Sequence, residues 1–226
     1  MPAVSGHVHS AAEMVDQLID GHSIASDLNF PLADRYVIAV LKLPNGSLES
    51  FPCSDVLLTC RDGVVVALLA DVDPESTRSA LGRLSARLPN EGWVAVAHRP
   101  VAEIAEGYRE AVDTARLLAA GRRPGGTYRM TDMLVEYAAT RDRAVADQLA
   151  AMIAPLRGYP LLWATLTAWI DTDRNRNQAA KQLFVHRNTL NYRLGRVTEI
   201  TGVDPTTGRG LQQLAIAMIA ESIRGS

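Results

Sequence analysis

The chain has 226 residues, a formal net charge of −2 and 47% hydrophobic residues. That length predicts one or two domains, and that apolar share supports a packed core, which excludes wholesale disorder. The longest dense apolar stretch, Val64–Ala70, falls far short of the ~18–20 residues of a membrane span, and the N-terminus lacks the basic and apolar regions of a signal peptide. A soluble, cytoplasmic protein is therefore expected. Two cysteines, Cys53 and Cys60, exclude a disulfide framework and a four-cysteine zinc site, and read as packed or half-exposed thiols. Aromatic residues make up only 5%, which argues against a stacking platform for single strands.

Residues 10–20 read as a short helix capped by Ser10, with Met14, Val15, Leu18 and Ile19 on one face. From Arg35 the period changes. Residues 36–41 are a candidate buried strand. Residues 56–60 and 64–69 flank Arg61-Asp62-Gly63, and Asp-Gly between β-branched runs predicts a hairpin. Asp73-Pro74-Glu75-Ser76 opens a helix running to about Leu88, with Leu81, Leu84 and Leu88 as its stripe and Pro89-Asn90 as its stop. A strand at 93–97 follows, then a helix at 102–120 ended by Gly121 and Pro124-Gly125-Gly126. This order predicts an α+β sheet with helices on one face. Beyond Asp132 only helices are expected, near 132–139, 142–154, 160–171, 176–183, 187–201 and 209–223. Pro155, Gly158 and Pro160 mark one break; Gly202 and Pro205 mark another.

The small net charge hides an asymmetry. Residues 1–140 carry twelve Lys and Arg against eighteen Asp and Glu, whereas residues 141–226 carry eleven against seven. Between Arg174 and Thr198 lie Arg174, Arg176, Lys181, Arg187, Arg193 and Arg196, without a single acid. Such a field attracts a polyanion; a solvated helix face gives the same run.

The pattern at 175–197 is more specific. Asn175 is placed to cap a short helix, with Gln178 at the capping-box position. Ala179, Ala180 and Leu183 make that helix thin enough for a close crossing. Phe184-Val185-His186 is a tight connector. A second helix would bury Leu190, Leu194 and Val197 and show Arg187, Asn188, Asn191, Tyr192 and Arg196 on its other side. That is a helix-turn-helix layout at about 175–198, with a recognition helix at about 187–198 for the major groove. Arg bonds guanine bidentately and Asn bonds adenine, so Arg187, Asn188 and Asn191 are the base-reading candidates. Lys181, Thr189, Tyr192, Arg193 and Arg196 are the phosphate candidates. His186 would either touch a phosphate or cap the recognition helix. The same geometry is open to an ordinary helical hairpin with a polar face.

Residues 184–194, Phe-Val-His-Arg-Asn-Thr-Leu-Asn-Tyr-Arg-Leu, resemble the C-terminal helix-turn-helix of PucR/CdaR-type bacterial transcriptional regulators and, more distantly, the DNA-binding segment of Fis. Residues 161–170, Thr201-Gly202-Val203-Asp204 and residues 211–219 extend the likeness to the last 65–70 residues or so. Residues 34–140, with Gly107-Tyr108-Arg109-Glu110-Ala111, resemble the degenerate GGDEF-like domain that precedes this block. The resemblance implies an N-terminal helical segment at 1–33, a GGDEF-like α+β domain at 34–140 and an all-α DNA-binding domain at 141–226. About thirty residues stand where such regulators carry an N-terminal sensory domain. Three positions depart from the pattern. Arg176 replaces an apolar residue, and Asn191 stands where Arg is common. Gly195 replaces a longer side chain; Gly costs ~1 kcal/mol there relative to Ala, which predicts a helix that ends or bends early.

Other chemistries fit poorly. The hairpin Cys60-Arg61-Asp62-Gly63 lacks the GG(D/E)EF run that a diguanylate cyclase needs for metal and nucleotide. Asp171-Thr-Asp173-Arg-Asn175 opens like a calcium loop, but Arg176 and Gln182 stand where Gly and Glu are required. His7 and His9 lack a third ligand, and His98 reads as a structural residue ending a strand. No Walker, Gly-x-Ser-x-Gly or Gly-x-Gly-x-x-Gly motif is present. The expectation is a non-enzymatic regulator without metal or cofactor. It would bind double-stranded DNA as a homodimer or higher oligomer, off the membrane, under a small-molecule effector. The rival is a protein-interaction module with an inactive GGDEF-like scaffold.

Overall fold

The computed structural model describes residues 11–22, 32–42, 56–86, 88 and 92–225. Ser10, His7, His9, Cys53 and the Pro89-Asn90 stop lie outside them. The chain divides into two compact units, residues 1–134 and 135–226.

In the first unit the strands are β1 (Arg35–Leu41), β2 (Val56–Arg61), β3 (Val64–Ala70), β4 (Trp93–Pro100) and β5 (Gly126–Arg129). They form one sheet in the order β2-β3-β1-β4-β5. β1 lies at its centre, antiparallel to both β3 and β4. Every β1 residue after Arg35 is buried, as befits a continuous apolar run covered on both sides. The β2–β3 hairpin turns on Asp62 (φ 52°) and Gly63 (φ 75°). Two consecutive left-handed residues match the twist of the strands, which is why Asp-Gly signals this turn. β5 is a short edge strand, parallel to β4, where the sequence suggested only a helix stop.

The helices of this unit lie on both faces of the sheet, not on one. α2 (Pro74–Ser85) covers Val37, Ala39, Leu41, Val65, Ala67, Leu69, Val94 and Val96, with Leu84 at the centre of the contact. α1 (Ala11–Ile19) and α3 (Ile104–Ala120) cover the opposite side. There Thr59 donates to Asp16 at 3.0 Å, and Gly107 comes so near that a Cβ would stand 2.7 Å from Ile38 Cδ1. The cause is β1 itself: six apolar residues without alternation need cover on both sides. Asp73 caps α2 by accepting from the amides of Glu75 and Ser76.

The second unit is helical throughout its described residues. α4 (Leu134–Arg141) carries no buried residue and straddles the division between the units. α5 (Arg143–Ile153) is capped by Asp142 and packs on α9 (Gly208–Arg224), and α6 (Pro160–Asp171) starts on a proline in its first turn. Ile153, Leu156, Leu162, Leu166, Val197, Leu214 and Ala217 form its main core. No helix among the described residues is long and apolar enough to cross a membrane.

The start of α9 is unusually close-packed. Thr207 Oγ1 accepts from Gly210 N at 3.0 Å and donates to Asp204 O at 3.0 Å. A Cβ on Gly210 would stand 2.0 Å from that same backbone oxygen. A Gly210→Ala substitution is expected to destabilise the chain by ~1–3 kcal/mol or more, because backbone cannot step aside as a side chain does. Gly208→Ala, whose Cβ meets only Arg174 Nη1 at 3.8 Å, should be near neutral. Urea unfolding of both variants checks this; similar midpoints for the two would refute the packing argument.

Candidate nucleic-acid interface

Asn175 ends the turn after α6 and starts α7 (Arg176–Gln182), its Oδ1 accepting from Gln178 N at 3.1 Å. Just before it, Asp173 (φ 46°) and Arg174 (φ 63°) take left-handed conformations that terminate α6. The pair of acids that begins like a calcium loop thus sits in a helix-ending turn. Ala179 and Ala180 are buried on the inner side of α7, and their small size lets the next helix cross closely. Phe184 (φ 53°) reverses the chain, and Val185 N donates back to Ala180 O at 2.9 Å. α8 (Arg187–Thr201) then runs across α7 and buries Leu190, Leu194 and Val197. Trp169 of α6, with Leu183, Val185 and Leu211 around it, completes the small core under Ala179, Ala180, Leu190 and Leu194.

The other side of α8 faces solvent. Arg187, Asn188, Thr189 and Asn191 are exposed, as is Lys181 on α7. Tyr192 is 68% exposed. Arg193 and Arg196 are half-buried, and Arg196 is ion-paired with Glu199 on the following turn. Arg187 and Asn188 occupy the first turn of a fifteen-residue helix, where free backbone N–H groups and the helix dipole favour an anion. His186 is also exposed, and its Nδ1 accepts from Asn188 N at 3.2 Å. The imidazole therefore caps α8. An accepting Nδ1 places the proton of the neutral ring on Nε2, so the same side chain keeps one donor for another partner.

Two departures from the family pattern have physical accounts. The Arg176 guanidinium lies over the Trp169 ring, 5.8 Å from its centroid, so it covers the aromatic surface that an apolar residue would otherwise cover. Gly195 does not end α8 early. The helix runs through it to Thr201 and stops at Gly202 (φ 72°), a left-handed C-cap. The underside anchored by Leu190, Leu194 and Val197 outweighs the local cost of one glycine. Sequence reasoning treated Phe184 only as part of a connector, yet it is 96% exposed. A left-handed φ on a bulky residue and an exposed ring were not visible in the pattern Phe-Val-His.

In the first unit, the β2–β3 hairpin tip carries Arg61, whose Nη1 lies 2.6 Å from Asp20 Oδ1. Cys60 is exposed. His98 does not end its strand, which continues to Pro100, and its ring bonds Asp71 and Arg129.

Parts of the chain match known domains. Residues 162–220 match the PucR C-terminal helix-turn-helix domain, and residues 16–117 match the GGDEF-like domain. The chain is 44% identical over 62 residues to the carbohydrate diacid regulator of Escherichia coli, which covers 26% of this chain and 16% of that protein. It is 42% identical over 60 residues to the transcriptional activator PmfR of Paenarthrobacter nicotinovorans, covering 26% and 13%. Across such curated relatives the chain spans no more than 20% of their length. A crystal structure of a regulator of polyketide synthase expression from Bifidobacterium adolescentis aligns over 98% of this chain and 97% of that one, with a TM-score of 0.43 and 22% identity. The chain thus carries a GGDEF-like domain followed by a PucR C-terminal helix-turn-helix domain.

Proposed function

We propose that the chain binds double-stranded DNA sequence-specifically and regulates transcription in the bacterial cytoplasm. One observation carries this reading. The exposed first turns of α8 present Arg187, Asn188 and Asn191 together, while Leu190 and Leu194 lock the opposite side into the core. Arg187, Asn188 and Asn191 then read base edges in the major groove. Lys181, Thr189, Tyr192 and Arg193 hold phosphates, as does His186 through Nε2. Arg196 serves phosphate only by leaving Glu199. A single helix-turn-helix reads few base pairs, so a homodimer or higher oligomer on two half-sites supplies the missing affinity. The regulatory names of the relatives support the assignment. Residues 34–140 act as a non-catalytic scaffold for dimerisation or for relaying an effector signal, and residues 141–226 carry the DNA contacts.

A protein-interaction module is the second reading, and the exposed Phe184 ring at the turn favours it. Selection of duplexes from a random pool at two salt concentrations separates the two. A recovered motif whose binding weakens steeply with salt is expected. Absence of any DNA binding at either salt would move the assignment to a protein partner.

On a recovered duplex, Arg187→Ala should lose discrimination at one base position by ~1–3 kcal/mol. Lys181→Ala should weaken all sequences alike and lower the salt slope. Equal, sequence-independent losses in titrations of both variants would remove Arg187 from base reading.

Gly195 adds a positional argument. It lies seven residues after Asn188 and four after Asn191, on their side of α8. Apart from its chain neighbours and the adjoining backbone of α8, no described atom stands within 4 Å of where its Cβ would be. The packing of the described residues gives no reason for a glycine at this position, which costs ~1 kcal/mol relative to alanine, whereas close approach of the DNA would require a residue without a side chain. Gly195→Ala should therefore raise Tm while weakening the selected duplex several-fold. A variant that is stabilised and binds unchanged would leave the DNA reading intact and discard the close approach.

A further inference from the structure

The first unit holds a cavity of about 570 Å³ whose walls include Asp71, Thr77, Arg78, Leu81, His98 and Arg129. It opens on the α2 side of the sheet. His98 pairs with Val37 and Arg129 with Val96, and both of these strand positions face α2.

A relay of hydrogen bonds runs along the wall. Arg129 Nη2 lies 3.1 Å from His98 Nε2, and His98 Nδ1 lies 3.1 Å from Asp71 Oδ2. A guanidinium only donates, so Nε2 accepts and Nδ1 carries the proton towards Asp71. Thr77 Oγ1 donates to Asp71 Oδ1 at 2.9 Å. Burial pushes the Asp71 carboxyl up, but the hydrogen bonds from His98 and Thr77 outweigh it and hold the group below the ordinary carboxylate range. The carboxylate is thus occupied by the relay, and the relay ends on an arginine. Arg129 gives His98 one of its five N–H donors.

The charge around the cavity is unbalanced. Arg78 and Arg129 are both exposed, and among the described residues neither side chain meets a carboxylate. With His98 neutral, the two guanidinium groups face the single charge of Asp71. Leu81 supplies an apolar wall beside them. A tie between β3, β4 and β5 needs one donor on His98; it does not need a second guanidinium on α2. A guanidinium tethered to His98, with a second guanidinium lining the same cavity, supplies the planar donors that recognise a carboxylate or phosphate group.

We propose that this cavity binds a small organic anion, its carboxylate or phosphate group held by Arg129 and Arg78 and its carbon body against Leu81. The site stands independently of the DNA reading, since it uses no residue of the helix-turn-helix.

Calorimetric titration of the full chain with succinate, and separately with inorganic phosphate, tests it at matched ionic strength. Saturable binding of at least one anion is expected. Succinate alone assigns a carboxylate site, and phosphate alone a phosphate site. Arg129→Gln and Arg78→Gln should each weaken that binding about tenfold or more, the effect of losing a charge-assisted hydrogen bond. Both side chains are exposed, so unchanged circular dichroism and Tm are expected for the variants without anion. Should Arg129→Gln fail to fold, Arg78→Gln decides alone. No saturable heat with either anion overturns the proposal, as does wild-type affinity in either folded variant.

Discussion

The burial of Trp169 under α7 and α8 is the contact on which the candidate interface depends. The ring is 2% exposed and shares a cluster with Ala179, Ala180, Leu190 and Leu194. Its Nε1 donates to Pro205 O at 2.8 Å, so the indole also fixes the loop that leads from α8 into α9. A buried N–H without a partner would cost ~1–3 kcal/mol, and the Pro205 carbonyl removes that cost. The alanines matter for the same reason. Larger residues at 179 and 180 would push α8 away from the indole and leave Leu190 and Leu194 without a floor. The angle at which Arg187, Asn188 and Asn191 leave the surface is set by this contact, not by anything those residues do themselves.

α8 shows the same division of labour along its length. Its inner stripe of Leu190, Leu194 and Val197 is narrow, and its sequence is otherwise polar. A helix of that composition gains little from intrinsic propensity and owes its stability to tertiary packing. This leaves the outer surface free of structural duty. Gly195 can sit mid-helix, Asn can occupy positions 188 and 191, and Tyr192 can remain exposed, because none of them is asked to hold the helix together. The end is equally local: Gly202 closes it in the left-handed region where a side chain would be strained.

Much of this was legible in residue order, and the exceptions are instructive. Asp62-Gly63 announced its hairpin because the turn needs two left-handed residues. Asn175, Ala180 and Leu190 announced the helix-turn-helix because a cap, a small residue and an anchor must fall at those spacings. β5 went unread, since four residues after Pro124-Gly125 show no more alternation than a loop, and its pairing with β4 is a long-range event. The helices on both faces of the sheet were signalled by the unbroken apolar run of β1, a stronger clue than the order of elements. His186 left cap and phosphate open because the chemistry permits both; the geometry assigns Nδ1 to the cap and leaves Nε2 for the other. Arg196 and Glu199 are three apart, so their pairing was available from the sequence. The basic run that ends at Thr198, one residue short of the acid, concealed it.

The charge asymmetry gains meaning from these details. The acids that dominate residues 1–140 are drawn partly into internal work: Asp16 with Thr59, Asp20 with Arg61, Asp71 with His98, Asp73 at a helix cap and Glu110 with Arg99. Among the described residues, the basic side chains of α7 and the start of α8 have no such employment, apart from Arg176 over Trp169. Beyond the Debye length of ~8–10 Å exposed charges are largely screened. An anion near the start of α8 therefore feels the basic residues and the helix N-terminus beside it more strongly than the net charge of the chain. A nearly neutral protein can in this way present a locally cationic surface, provided its acids are satisfied at home and its arginines are held outward by a core that does not need them.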